Sequence, residues 1–303
     1  MSRINDENLI RYTQNLKNYI ETTFNPLKLE LDDNVTIATL KIDQDASSIT
    51  FKNLTGMTKI AWGDDSVDNK LSHTYKKAGT YNCKIYGVTK LGKEAFYQNV
   101  CLIAIKLGNI VTELGQAALR ETSITELSVP SSVTAIGTYA FYGCKALTSV
   151  EINGYVDTIP QKAFGECSIL KSVSLPDGLA SVGDNTFMNC IALTSITLPN
   201  SVTSIARGAF SGCKALTSIV IPQSVTTIGE KAFYKCTALT SYCEADNQPN
   251  DWSDVWNADR PVVWGYQHKD YPDTVTELTE LRNLNNSKLD NSNLNQNFFD
   301  SLY

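Results

Sequence analysis

The chain has 303 residues, of which 42% are hydrophobic and 19% charged, with a formal net charge of -6. That balance predicts an ordered protein and argues against nucleic acid as a partner, because no basic stripe is available to neutralise phosphates. No basic amphipathic segment and no run of about 18 apolar residues is present, so no membrane insertion is expected. Eight cysteines would suit a disulfide framework in a secreted protein. The first stretch, "MSRINDENLIRYTQNLKNYIETTF", has no apolar core of signal-peptide length, so the thiols are expected to stay reduced in a cytoplasm.

Residues 1–27 are predicted to form an amphipathic helix. Leu9, Tyr12, Leu16, Tyr19, Ile20 and Phe24 recur at three- and four-residue steps, and Pro26 ends the pattern. Such a stripe has to be buried. Either it packs on the adjoining module, or Leu9, Tyr12, Leu16, Ile20 and Phe24 form an anchor that makes a homo-oligomer or docks into a larger assembly.

Residues 28–87 alternate apolar and polar positions (Ile49, Phe51, Ile60, Trp62, Tyr81, Cys83, Ile85), as short antiparallel strands do. "WGDD", "SHTY" and "AGTY" at their spacing resemble a PKD-like β-sandwich, and that resemblance implies a stalk or spacer. Asp64 and Asp65 read as turn-stabilising residues. Two adjacent acids are too few for the roughly six to eight oxygen ligands of a calcium ion. The module runs into the next segment at Val88 with no linker between them.

Residues 88–243 repeat. Cys144, Cys167, Cys190, Cys213 and Cys236 lie 23 apart, as do Phe141, Phe164, Phe187, Phe210 and Phe233, and Leu147, Leu170, Leu193, Leu216 and Leu239. Pro130, Pro176, Pro199 and Pro222 close each phrase, and Asn153 breaks that series once. A fixed period with a Leu-x-x-Ile-x-Leu core predicts a leucine-rich solenoid of about seven coils with stacked parallel strands. In "LTSITLP", Leu193, Ile196 and Leu198 should face inward and Ser195 and Thr197 outward. Each Cys lies between a buried Phe and a buried Leu and behaves as a small hydrophobe. "VTSIARGAFSGCKALTSIVIP" resembles the BspA-like class of leucine-rich repeat, which implies a mainly β protein that binds proteins or surfaces and does not catalyse. That class occurs in bacterial surface antigens and in gut-bacterial and phage proteins.

Trp252, Trp256 and Trp264 in residues 244–267 suit a cap over the last coil, with an aromatic sugar platform as the alternative. Residues 268–303 are rich in Asn, with Leu284, Leu289, Leu294 and Phe299 every five residues. They read as a flexible tail or a partner-docking segment.

No catalytic constellation is legible. His73 and His268 have no Ser-His-Asp or Cys-His partner, and no CxxC, HExxH or phosphate-binding loop occurs. No enzyme activity, cofactor or metal is expected. The outer strand face (Ser149, Glu151, Ser172, Ser174, Ser195, Thr197, Ser218 and Val220) is a lattice of small hydroxyls without Tyr, Trp or Arg. It reads either as a solvated surface or as a binding face for a host protein or glycan. Extracellular-style modules behind a start that cannot be secreted point first to a virion component. Such a component would be a capsid decoration, head fibre or tail-associated protein of a bacteriophage, made in the host cytoplasm and held to other virion proteins by a terminal segment. A bacterial cell-surface adhesin is the alternative, and an enzyme accessory module a third.

Overall fold

The computed structural model describes residues 33–258 and 260–267. The anchor helix expected over residues 1–27 and the tail 268–303 lie outside them. Among the described residues, regular structure from 36 to 263 is entirely β.

The strand Thr36–Ile42 buries every second residue, as a pleat with one covered face requires. It pairs antiparallel with Gly79–Tyr86 on one side and with Leu102–Lys106, in the first coil, on the other. Lys59–Ala61 and Val67–Asp68 extend that sheet outward. Ser47–Thr50 and Ser72–Tyr75 form a second antiparallel pair. Short antiparallel strands are thus present where the alternation places them, while the likeness to a PKD-like domain remains one of sequence. Phe51 stacks on Trp62 at 5.2 Å and meets Phe96 of the first coil at 4.8 Å, so one core runs through both parts.

Asp64 is a turn residue. Its Oδ1 accepts hydrogen bonds from the backbone N–H and hydroxyl of Ser66, and its Oδ2 lies 2.8 Å from His73 Nε2. Burial pushes this carboxyl up, but the bonds from Ser66 and His73 outweigh burial and the net shift is downward. His73 in turn stacks on Trp62 at 4.9 Å.

The solenoid carries parallel strands on two faces. On one, Glu126–Val129, Ser149–Ile152 and Ser172–Ser174 pair with Glu126 beside Ser149 and Ser149 beside Ser172. On the other, Thr158–Ile159, Ser181–Val182, Ser204–Ile205 and Thr227–Ile228 pair in the same way. Like residues therefore lie over like. The Phe rings from Phe141 to Phe233 stack at 4.9, 5.4, 5.3 and 5.2 Å within 14° of parallel. There are about eight turns, one more than the sequence predicts, because residues 244–267 continue the winding. Trp256 takes the Phe slot and meets Phe233 edge-on at 5.7 Å. Trp252 bridges Ile228, and Val262–Val263 pairs with Ser241 and Tyr242.

Neither face is continuously bonded. The first has no ladder bond to residues 194–198, and the second has none between Ala135–Ile136 and Thr158–Ile159. Strands of two to four residues hold each other weakly against sheet twist, so a step can open without unravelling the coil.

What does run unbroken is the turn carrying the Phe. Alternate N–H groups there cross to the next coil: Tyr139 to Gln161 O (3.0 Å), Phe141 to Ala163 O (2.9 Å) and Gly143 to Gly165 O (2.8 Å). The pattern persists to Phe233 bonding Trp256 O at 2.9 Å. The intervening N–H groups bond back within their own coil, as Cys144 does to Phe141 O (3.2 Å). This alternation places two residues per coil in the left-handed region: Asn185 and Asn189 (φ 54 and 58), then Gly208 and Gly212 (φ 62 and 80). Asn and Gly adopt that region at least cost, whereas other residues lose about 1–2 kcal/mol there. Lys162 and Glu166 (φ 53 and 62) are held there by the repeat.

The cysteines do more than fill space. All eight are free, and the five ladder thiols are fully buried. Each Sγ donates to a carbonyl one coil back: Cys167 to Phe141 O (3.2 Å), Cys190 to Phe164 O (3.1 Å), Cys213 to Phe187 O (3.2 Å) and Cys236 to Phe210 O (3.0 Å). Each of these carbonyls already accepts the N–H of the Cys in its own coil, as Phe164 O does from Cys167 at 3.2 Å, so the thiol fills its second lone pair and ties two coils at one oxygen. Burial pushes the thiols up from the ordinary 9.0, to about 11 at Cys144 and Cys236 and well above 9.0 at Cys190. The folded chain keeps these protons at a pH where the unfolded chain releases them. Their stabilisation is therefore complete below pH 9.0 and is lost as pH rises through about 11. The denaturation midpoint is expected to fall steeply across that window, and Cys190→Ala to flatten the fall. A fall of unchanged steepness in the variant would refute the assignment.

Candidate functional site

The outward residues of the first face line an open groove of about 1260 Å³. Small-molecule pockets occupy roughly 300–1,000 Å³ and enclose their ligands, whereas this space spreads across consecutive strands of the antiparallel module and the coils. Ser149, Glu151, Ser172, Ser174, Ser195 and Thr197 all border it. Ser218 and Val220 continue the same face on the strand Ser218–Ile221, beyond the groove. Leu9, Tyr12, Leu16, Ile20 and Phe24 lie outside the described residues.

Three parts of the site are invisible in the repeat pattern. The first is its end wall, where Ile37 and Thr39 face the groove beside Ala104 and Lys106. They arrive through the antiparallel pairing of Thr36–Ile42 with Leu102–Lys106, a long-range contact that no local pattern announces. Lys106 Nζ meets Asp33 Oδ1 at 3.0 Å at that wall. The second is a polar cluster: Ser128 Oγ donates to Glu151 Oε2 at 3.3 Å and accepts from Asn153 Nδ2 at 3.4 Å.

The third is Tyr242, which pairs with Val220 on one side and Val263 on the other, with the Tyr266 ring 5.3 Å away. The face therefore ends in an aromatic pair, contrary to the expectation of a face free of Tyr. The signal was available: "LTSYC" is one residue shorter than "LTSIVI" between the Leu and the next buried slot, and that deletion turns Tyr242 outward.

The arrangement offers hydroxyls, three carboxylates (Glu126, Glu151 and Asp177), one ammonium (Lys106) and amides across a flat lattice. Among the described residues, no His or Cys borders the groove, so no serine there has an imidazole to activate it. What the surface offers is hydrogen-bond donors and acceptors.

The family described as BspA type leucine rich repeat region (6 copies) matches residues 33–148, 69–192 and 135–247. The chain belongs to this family. Solved structures similar to this BspA type chain include a leucine-rich repeat protein from Bacteroides ovatus ATCC 8483. It is 26% identical with a TM-score of 0.46, over 58% of this chain and 51% of that one. One from Eubacterium ventriosum ATCC 27560 is 25% identical with a TM-score of 0.48, over 66% of this chain and 54% of that one. A leucine rich cell surface protein from Faecalibacterium prausnitzii A2-165 is 25% identical with a TM-score of 0.32, over 60% and 62%. The chain spans about half the length of the first two. No curated protein matches it.

Proposed function

We propose that this chain is a non-enzymatic display scaffold at a bacterial cell surface, whose groove face binds a macromolecular partner, a protein or a glycan. The observation that carries this reading is the groove itself, open and polar, built jointly by the antiparallel module and successive coils. Solenoids use extended faces of this kind for binding, and membership of the BspA type family points the same way. The antiparallel module, with its PKD-like turn at Trp62, Gly63 and Asp64, serves as end wall and spacer.

The virion placement drawn from the sequence depends on terminal segments outside the described residues. One fractionation experiment separates the two locations. Antibody against the solenoid should label intact cells, whereas recovery with purified particles and not with the envelope would favour the virion.

Binding is tested on the face. Ser172→Glu with Ser174→Glu should weaken capture of a partner identified on glycan and surface-protein arrays by about tenfold or more, roughly 1.4 kcal/mol. Thr203→Glu, exposed on the opposite face, should leave capture unchanged. Equal losses from both would remove the groove from the proposal.

A further inference from the structure

The sequence contains Asn-Gly once, at Asn153 and Gly154. The pair directly follows the strand Ser149–Ile152 and occupies the slot that Pro130, Pro176, Pro199 and Pro222 fill in other coils. Packing explains the glycine. A Cβ at Gly154 would collide with the carbonyl oxygen of Val133, so nothing larger fits. Asn153 is exposed at the groove, held by its own N–H to Val129 O at 2.9 Å and by its side-chain amide to Ser128 Oγ. Among the described residues, no acceptor takes the Gly154 N–H.

We propose that Asn153–Gly154 is a self-modifying site, at which the folded chain converts Asn153 to aspartate and isoaspartate and so adds negative charge to the groove. With no Cβ at residue 154 to obstruct it, the Gly154 nitrogen can reach the side-chain carbonyl carbon of Asn153. Gly154 is buried beside exposed Asn153, so the step waits on a local opening, in which solvent base takes the proton of the nitrogen and the nitrogen bonds to Cγ. The Cγ–Nδ2 bond breaks, and ammonia leaves with a proton from water. Water then opens the five-membered imide. Attack at Cγ restores the normal backbone with an aspartate, and attack at the backbone carbonyl routes the chain through Cβ as isoaspartate. The balance is one water in and one ammonia out, with no oxidation. A proline in the same slot has no side-chain amide, so the other coils cannot react here.

The consequence falls on the groove. Asn153 and Glu151 share Ser128 Oγ. A carboxylate at 153 cannot donate to that hydroxyl, and it stands near the charge of Glu151. Like charges this close repel, so the polar cluster must rearrange as the site matures.

The test is incubation of the full chain in mildly alkaline buffer, followed by peptide mapping for the mass gain of an amide-to-acid change and by native ion exchange. Asn153 should convert several-fold faster than Asn200, which is also exposed but precedes a serine. The native chain should acquire an acidic species that Asn153→Gln abolishes. Retention of the amide at Asn153 in the native chain, while the urea-unfolded chain converts it, would overturn the proposal. So would a rate no greater than that at Asn200, or an acidic species that persists in Asn153→Gln.

Discussion

Phe187→Ala is expected to destabilise the chain by about 3–5 kcal/mol, as truncation of a buried aromatic does. The ring is fully buried. It lies 5.4 Å from Phe164 and 5.3 Å from Phe210, nearly parallel to both, so removing it opens the ladder in the middle of the stack. Its backbone N–H also bonds Ala209 O at 2.7 Å, within the turn that holds coil to coil. The outward Thr197, exposed on the groove face, should tolerate alanine within about 0.5 kcal/mol. Denaturant unfolding of the two variants decides the matter. Similar losses at both positions would sink the inward and outward assignment. In a solenoid the deficit should also be local, so hydrogen exchange should rise first in the coils beside Phe187.

Cutting the chain before Val88 should abolish soluble, cooperatively folded solenoid. The antiparallel module closes the first coil on both faces: Thr36–Ile42 bonds Leu102–Lys106, and Leu54–Thr55 bonds Lys90–Leu91. Without these strands two edges lie open, and open edges pair with other chains. Leu91, Phe96 and Leu102, all buried, would meet water, at about 1.5–3 kcal/mol each for full exposure. The module should fare no better alone, since Phe51 loses Phe96 and its central sheet loses an outer strand. Circular dichroism and size exclusion of residues 88–303 and of residues 28–87 test this directly. A monomeric, cooperatively melting fragment from either half would show that the two are separate folding units.

Much of the fold was legible because a repeat amplifies weak local signals. Val150 over Val173 and Ile205 over Ile228 follow from the 23-residue period, since residues at equal phase in successive coils must stack. The alternation around Ser149, Glu151, Ser172 and Ser174 placed those side chains outward for the same reason. The unbroken turn ladder was harder to see. Its signature is Gly or Asn two places either side of the Phe, as at Asn185, Asn189, Gly208 and Gly212. In other coils Tyr139, Lys162 and Glu166 occupy those slots and hide it.

By itself the sequence determined the period, the inward Phe, Cys and Leu, and the hydroxyl lattice, because each depends only on phase along the chain. Only the tertiary structure decided that the Phe turn is the continuous spine and that each ladder thiol donates to a carbonyl one coil back. It alone showed that residues 244–267 are a further turn and that the antiparallel module is fused to the solenoid by both of its faces. Those features arise where backbone groups far apart in sequence must find partners, and that demand has no local code. The groove belongs to both descriptions. Its lattice is written in the repeat, and its end wall exists because Thr36–Ile42 and Leu102–Lys106, more than sixty residues apart, satisfy each other's hydrogen bonds.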